Sequence, residues 1–366
     1  AIEYHEAFQD PLTGITYKPI PPGKILQTLT IHFPSEAATF GSERELLAEI
    51  DAFIRKYLVV SPFFHAIAKY YVLLSWVYDS FTILPYLRVR GDYGTGKSRF
   101  LQTVGSLCYK PIFCMGAATV SPIFRLIDTH RGTVVLDESD FNDSDDANRI
   151  VKILNSGFQK GFPVLLTEAV SSNRLEPISF DVFGPKLIAS RHEFKDKALE
   201  SRCITEIMDK LMKPGIQLNL PLTFWGEARG IRNKLLSWRF QKFGKITLIE
   251  NPTHIPIEPR LAQIMTPLLS VIEDPVVREE FIGFMEKRNR QLIEERGESL
   301  DGKVAEAVCG LMSRSSNGQL RIKEIAEQAN EILDNPGFKI SPKKTGDIIR
   351  KTFNLAVQRD GKGYYL

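Results

Sequence analysis

The sequence has few of the features that identify a disulfide-rich, zinc-binding or membrane protein. Four cysteines occur among 366 residues, none of them in a CxxC pair, and no HExxH motif is present. Sparse cysteines favour a reduced, cytoplasmic chain without structural zinc. The most apolar run, residues 70–87, is interrupted by Asp79 and Pro85. It falls short of the ~18 uncharged residues that a membrane span needs, so we expect a buried helix there and no membrane partner.

The chain also lacks a large net charge and a recognisable signal peptide. Its net charge of +3 is too small to indicate a nucleic-acid partner by itself, although it permits local basic patches. Its length predicts two or three domains of about 150 residues each. Ala1 stands where a complete chain would have methionine, so we expect a part of a longer protein.

A glycine-rich stretch carries the strongest chemical signal. Residues 87–98 read LRVRGDYGTGKS, a short apolar strand followed by the GxxxxGK[ST] pattern and then by a predicted helix. In this context backbone N–H groups at the helix start bind phosphate. Lys97 is expected to reach the β- and γ-phosphates of ATP, and Ser98 to hold Mg²⁺. A turn without a ligand is the alternative. The predicted cofactor-binding stretch comprises Gly91, Asp92, Tyr93, Gly94, Thr95, Gly96, Lys97, Ser98 and Arg99.

A second motif ends in two acidic residues. Residues 132–138 read GTVVLDE, an apolar run that is typical of a buried parallel strand. Acids at the carboxyl end of such a strand lie where α/β sheets bind ligands. Asp137 is predicted to help hold Mg²⁺, and Glu138 to activate the attacking water as general base. The spacing fits a strand next to the P-loop strand. Solvated acids at a strand end are the alternative.

The order of predicted elements divides the chain into four parts. Residues 1–42 form an N-terminal extension, and alternating strands and helices over 43–215 predict an α/β core with a parallel sheet. Residues 216–297 are predicted to be helical. Residues 298–366 predict three helices and a hairpin at Asp360–Gly361, the order of a winged helix.

Basic residues are concentrated near the C-terminus, between residues 339 and 362. This concentration predicts DNA contact, because phosphate neutralisation by Lys and Arg dominates binding to nucleic acids. A solvated helix face on a protein-docking module is the alternative. The predicted DNA-contacting residues of this segment are Lys343, Lys344, Arg359 and Lys362.

Together, these elements resemble the AAA+ ATPases. More specifically, they resemble the helicase-like ATPases of plasmids, phages and chromosomal cassettes, which are relatives of the minichromosome maintenance helicases. It covers about residues 45–366 and includes Ser201-Arg202-Cys203-Ile204, which is similar to the Ser-Arg-Phe-Asp that carries their arginine finger. The resemblance implies an AAA+ core with a helical lid and a C-terminal winged helix. It also implies ATP and Mg²⁺ as cofactors and a homo-oligomer, expected to be a hexamer, with shared ATP sites.

The same resemblance implies roles for single residues. Arg202 would be the arginine finger, with a structural salt bridge as the alternative. Ser190 would occupy the sensor-1 position, where the relatives more often have Asn, and Arg191 is its rival. Arg260 resembles a sensor-2 arginine, with Arg232 as competitor. The remaining two predicted nucleic-acid contacts are Arg174, on a hairpin of the pore, and Lys160 behind it.

These observations predict a ring-forming, ATP-dependent DNA motor, a replicative helicase of a mobile genetic element. Two alternatives stay open at this point. One is an ATP-gated, DNA-binding initiator or loader that does not unwind DNA. The other is an AAA+ remodeller of proteins, for which Gly157-Phe158 and Gly161-Phe162 are candidate pore loops.

Overall fold

The computed structural model describes ten stretches of the chain: residues 5–19, 30–114, 120–137, 144–171, 174–209, 219–249, 252–314, 319–334, 339–361 and 363–366. These form two compact units, residues 1–282 and 283–366. The domain boundaries expected at 42/43, 215/216 and 297/298 stay predictions.

The first unit begins with a small hairpin and two helices. They are β1 (Phe8–Gln9), β2 (Thr16–Tyr17), α1 (Glu43–Tyr57) and α2 (Pro62–Trp76). Ser42 and Glu45 form a capping box at the start of α1, and Pro62 occupies the first turn of α2. As predicted, the most apolar run of the chain begins in a buried helix, since residues 70–76 of α2 are all buried. In the described ranges, no helix has both the length and the apolar character needed to cross a membrane.

A five-stranded parallel sheet is the centre of this unit and confirms the predicted α/β core. Its strands and the elements between them are β3 (Tyr86–Arg90), α3 (Lys97–Gly105), β4 (Ile112–Cys114), α4 (Val120–His130), β5 (Val134–Asp137), α5 (Ser144–Ser156), β6 (Val164–Ser171), β7 (Arg174–Phe180), β8 (Lys186–Ser190), α6 (Lys197–Glu200) and β9 (Cys203–Ile207). The order across the sheet is β4-β5-β8-β3-β9, and the antiparallel β6–β7 hairpin stands apart.

The strand order corrects one prediction from the sequence. Strand β5 does not neighbour the P-loop strand β3, because β8 pairs with both of them and separates them. Every residue of β8 is buried, which suits the middle of a sheet. Arg90 is level with Ser190, and Asp137 is level with Ala189. The carboxyl ends of β3, β5 and β8 therefore lie side by side at the same end of the sheet.

Three helices follow the sheet, as the sequence predicts. They are α7 (Phe224–Lys242), α8 (Pro259–Ser270) and α9 (Pro275–Gly297). Helix α7 packs against α1 and the sheet edge through an aromatic cluster. The His32 ring stacks on Trp225 with centroids 4.5 Å apart, and Phe113 of β4 meets Trp225 edge-on. Assignment of these helices as an AAA+ lid stays a prediction.

The second unit contains three helices and a hairpin, in the order predicted. They are α10 (Leu300–Met312), α11 (Ile322–Leu333), α12 (Pro342–Lys351), β10 (Gln358–Asp360) and β11 (Gly363–Tyr365). The three helices share one apolar core, which includes Val304, Ile325 and Ile349. Leu320 and Leu366 exchange backbone hydrogen bonds of 3.2 and 2.9 Å, which ties the chain before α11 to the hairpin. Classification of this unit as a winged helix stays a prediction.

Candidate nucleotide-binding site

The predicted P-loop leaves the carboxyl end of β3 and leads directly into α3. Gly94 and Gly96 have φ values of +73° and +96°, a region that favours glycine, and Gly96 caps the helix. Gly91 is required for a different reason, since a Cβ there would lie 2.5 Å from the carbonyl oxygen of Met208. The Gly91 N–H donates to the Ser190 carbonyl at 3.2 Å, which ties the loop to β8. The glycines thus allow a tight turn at the N-terminus of a helix, where anions bind.

Lys97 lies inside this turn. Its Nζ donates to the carbonyl oxygens of Gly91 and Asp92, both at 2.8 Å, and its side chain is 9% exposed. Burial lowers the pKa of the Lys97 ammonium, while the Asp137 carboxylate opposes this effect and Arg191 adds to it. These two contacts of the ammonium with carbonyl oxygens of its own loop can be exchanged for contacts with phosphate oxygens.

The residues present fit a nucleotide with a divalent cation. Asp137 is a buried carboxylate at the end of β5, close enough to Lys97 to influence its pKa. Ser98 is exposed in the first turn of α3, and burial lowers the pKa of the neighbouring Arg99. A hydroxyl and a carboxylate are oxygen donors of the kind that Mg²⁺ prefers. Glu138, the predicted general base, lies outside the described residues.

A cleft of about 630 Å³ lies beside the P-loop and is lined partly by Tyr93, Arg191 and Met208. This volume is in the range of small-molecule sites. Tyr93 is 63% exposed, and the guanidinium of Arg191 lies 3.8 Å from its ring centroid and donates to its hydroxyl. Ser190, by contrast, is fully buried and its hydroxyl donates to the His192 carbonyl at 3.1 Å. Of the two sensor-1 candidates, Arg191 is therefore the one that faces the cleft.

Arg202 lies where the parallel strands begin, whereas the P-loop lies where they end. Its carbonyl accepts from the N–H of Tyr86, the first residue of β3, whereas the P-loop follows Arg90, the last. Five residues of strand span about 16 Å at 3.3 Å per residue. Arg202 Nη1 donates to the carbonyl oxygen of Asn155 at 3.1 Å and also to its Oδ1, and no carboxylate pairs with it in the described part of the chain.

Arg260 is a neighbour of Arg202 and not of the P-loop. The two guanidinium groups lie 5.1 and 5.0 Å from the ring centroid of Phe158. Burial lowers the pKa of Arg202, Tyr86 and the more distant Asp196 oppose this effect, and the charge of Arg260 adds to it. The competitor Arg232 is 2% exposed and donates to the Ser106 carbonyl, at the far end of α3 from the P-loop. Arg232 therefore has a structural contact, which the sequence alone could not distinguish from a binding role.

Reasoning from the sequence missed two contacts of Arg202, those with Asn155 and Phe158. The sequence indicates Phe158 only as a candidate pore-loop aromatic. In the structure it is 2% exposed and packs edge-on against Tyr86. A buried ring cannot contact a translocated polypeptide. Phe162, the other candidate, is 58% exposed. No sequence motif marks Asn155, which meets Arg202 only through the fold.

The predicted DNA-contacting residues lie on exposed segments where the structure describes them. Lys160 is exposed, and Arg174 begins β7 at the tip of the hairpin, with its side chain outside the described part. In the second unit, Lys343 and Lys344 are exposed in the first turn of α12. Arg359 is exposed and lies over the ring of Tyr364 at 5.4 Å. Lys362 lies outside the described residues.

Comparisons with known proteins do not assign the chain to a family. No protein-family model and no curated protein matches it. Among solved structures, the apo NrS-1 C-terminal region aligns with a TM-score of 0.41 and 12% identity, over 99% of this chain and 81% of that one. The SCCmec type IV Cch helicase gives 0.44 and 11%, over 90% and 70%. The JCV helicase gives 0.28 and 14%, over 68% and 61%. Identities and TM-scores this low carry no conclusion about activity.

Proposed function

We propose that this chain is an ATP-hydrolysing DNA motor whose ATP sites are shared between identical subunits, and that it acts as a helicase. The observation that carries the proposal is the position of Arg202 relative to the P-loop. A P-loop needs positive charge opposite the γ-phosphate, which an arginine finger supplies in cis or in trans. Arg202 lies at the amino-terminal end of the parallel strands, too far from the P-loop of its own subunit. In the described residues no carboxylate lies within salt-bridge distance of it, so its charge can act on a neighbour's nucleotide.

In this proposal each subunit supplies two separate halves of an active site. The P-loop amides and Lys97 hold the β- and γ-phosphates, and Ser98 and Asp137 hold Mg²⁺, which neutralises phosphate charge when it is bound. Glu138 accepts a proton from the attacking water. A neighbour's Arg202 stabilises the charge that develops on the γ-phosphate, an effect of about 10³–10⁵ in rate for such fingers.

We propose roles for two further arginines, and their positions support these roles. Arg191 faces the nucleotide cleft of its own subunit, so we propose that it leaves Tyr93 and contacts the γ-phosphate when ATP is bound. Arg260 shares the Phe158 ring with Arg202, and we therefore propose that it acts on the neighbour's nucleotide. Ser190, which bonds within its own turn, is left with a structural role.

The proposed DNA contact in the second unit is supported by the charge on one face of α12. Lys343, Lys344, Arg350 and Lys351 are all exposed, while Ile348 and Ile349 face the apolar core. The acidic residues of this segment are already paired, Asp347 with Arg350 at 3.2 Å and Asp360 with Arg321 at 2.7 Å. The exposed lysines therefore remain available to phosphates.

The initiator or loader remains the second candidate, because it would use the same ATP site and the same basic face. The protein remodeller is the weaker alternative, since one of its two candidate pore aromatics is buried. A steady-state ATPase assay with and without single-stranded DNA, combined with unwinding of a forked duplex, separates these functions. A helicase accelerates its ATPase on DNA and releases a strand. A loader binds DNA without strand release, and a remodeller does not respond to DNA.

The control for both assays is Lys97→Ala, which removes the phosphate-binding charge. Strand release that persists in this variant would show that unwinding comes from a contaminant. Wild-type protein that binds no ATP would overturn the proposal as a whole.

A further inference from the structure

The guanidinium of Arg202 is held in one orientation by its own subunit. Nη1 donates to two oxygens of the same residue, the carbonyl and Oδ1 of Asn155. The central carbon of the guanidinium lies over the ring of Phe158, 5.0 Å from the ring centroid. Nε is buried and has no hydrogen-bond partner among the described residues. Asn155 is thus the only residue in the described ranges to which the Arg202 side chain donates a hydrogen bond.

A neighbouring carboxylate determines which way the Asn155 amide faces. Asn155 Nδ2 donates to Asp196 Oδ2 at 2.7 Å, and a carboxylate can only accept. The amide oxygen of Asn155 must therefore face Arg202. Asp196 is itself fixed, because its Oδ1 caps α6 by accepting from the N–H groups of Ala198 and Leu199. The hydrogen bond from Asn155 is the main reason that the pKa of the Asp196 carboxyl lies below its usual value.

These contacts form a chain from α6 through Asp196 and Asn155 to the end of the Arg202 side chain. An arginine side chain has many rotamers, and a catalytic contact loses rate when the side chain must be ordered during the reaction. Asn155 removes that requirement before a neighbour arrives. Contact with Phe158 alone does not order the side chain, because a guanidinium that lies over a ring can still rotate in its own plane.

We infer that Asn155 is a positioning residue for Arg202 and therefore acts on the ATP site of the neighbouring subunit, not on that of its own. This inference rests on the shared-site function proposed above. It adds that the arginine is preorganised by a side-chain amide, whose orientation is set by Asp196.

The test uses the full chain and five single variants, one of them a control. Asn155→Ala removes the amide, and Asp196→Asn keeps an oxygen for capping α6 but no longer dictates the orientation of Asn155. Arg202→Ala removes the finger, and Lys97→Ala disables the P-loop while leaving the finger intact. Asn148→Ala is the matched control, an exposed asparagine on the same helix, α5.

We expect Asn155→Ala to lower kcat by about 10- to 100-fold with ATP affinity unchanged, since a misplaced catalytic group costs up to about 10²-fold. Asp196→Asn should also lower kcat, but by less than Asn155→Ala does. The kcat of Asn148→Ala should match that of wild type. The double variant Asn155→Ala with Arg202→Ala should be no slower than Arg202→Ala alone.

Mixing distinguishes a positioning role from a structural one. Lys97→Ala subunits carry a well-positioned Arg202, so adding them should raise the rate per Asn155→Ala subunit, as it should for Arg202→Ala. Subunit exchange is verified by fluorescence energy transfer between labelled subunits. If Asn155→Ala does not fold, as judged by circular dichroism, Asp196→Asn takes its place in the mixture.

Three results would overturn the inference. A wild-type kcat for Asn155→Ala means that Arg202 needs no support. Rescue of Arg202→Ala but not of Asn155→Ala means that Asn155 serves its own subunit, and the shared site then stands without this inference. Rescue of neither variant despite proven exchange refutes the shared-site function itself.

Discussion

Protonation of His32 should weaken the first unit at mildly acidic pH. His32 is 8% exposed, stacks on Trp225 of α7, and its backbone N–H donates to the Pro111 carbonyl at 3.3 Å. Burial, with a smaller effect from the charge of Arg232, lowers the pKa of His32 from 6.5 to about 4. The neutral ring is therefore the form that the folded state accepts.

The direction and size of the effect follow from linkage. Between pH 6.5 and 4 the unfolded chain binds a proton at His32 that the folded chain does not bind, so stability falls as the pH falls. The difference between a pKa of 6.5 and a pKa of about 4 corresponds to roughly 3 kcal/mol of stability over the whole range, at 1.36 kcal/mol per pH unit. About 2 kcal/mol of this should be lost between pH 7.5 and pH 5.

Urea titrations of wild type and His32→Phe at pH 7.5 and 5 measure this loss. Phenylalanine keeps a ring against Trp225 but cannot titrate, so the variant should lose about 2 kcal/mol less than wild type. His65 and His130, whose pKa values burial also lowers, are present in both proteins and cancel in the comparison. Equal losses in the two proteins would refute the reasoning and mean that residues 30–33 do not dock on α7 in solution.

Three further predictions concern ATP and DNA. Lys97→Ala should weaken ATP binding by about 100-fold, since it removes a charged donor that contributes 1.5–3 kcal/mol, and tight binding in a calorimeter would contradict the P-loop assignment. Glu138→Gln should bind ATP but not turn it over, because an amide cannot accept the proton of water, and near-normal turnover would exclude Glu138 as the base. Removal of residues 298–366 should leave an ATPase whose DNA affinity is lower and less dependent on salt, by about 0.9 in the logarithmic slope per lost phosphate contact. Unchanged affinity at low salt would indicate a protein-docking role for this segment.

The parts of the site that the sequence predicts well are those determined locally. The P-loop is one continuous stretch, and its glycines are needed for backbone conformations and close contacts that only a few neighbouring residues create. The strand before Asp137 can also be predicted locally, because a run of apolar residues indicates it. All of its residues are buried in the structure. Helix starts such as Ser61-Pro62 and Ser341-Pro342 are likewise set by adjacent residues.

The parts that it could not predict depend on pairings between distant residues. Strand β8 enters the sheet between β3 and β5, although it follows both along the chain, and hydrophobic pattern alone does not fix that order. Asn155 meets Arg202 from 47 residues away, and Tyr93 meets Arg191 from 98. The sequence indicates roles for Arg202, Arg191 and Tyr93 one by one, but it does not pair Arg202 with Asn155 or Arg191 with Tyr93. The packing of helix α5 on the sheet and the pairing of its strands bring these residues together.

The separation of the P-loop from Arg202 restricts the symmetry of any assembly that completes the ATP site. An interface that joins these two different surfaces is heterologous, so a twofold dimer, which pairs identical surfaces, cannot form it. Two subunits joined in this way have one complete site and leave one P-loop and one Arg202 unsatisfied. Each added subunit moves the open ends without removing them. Only closure by rotation satisfies every site, and an interface that does not close produces a helical filament.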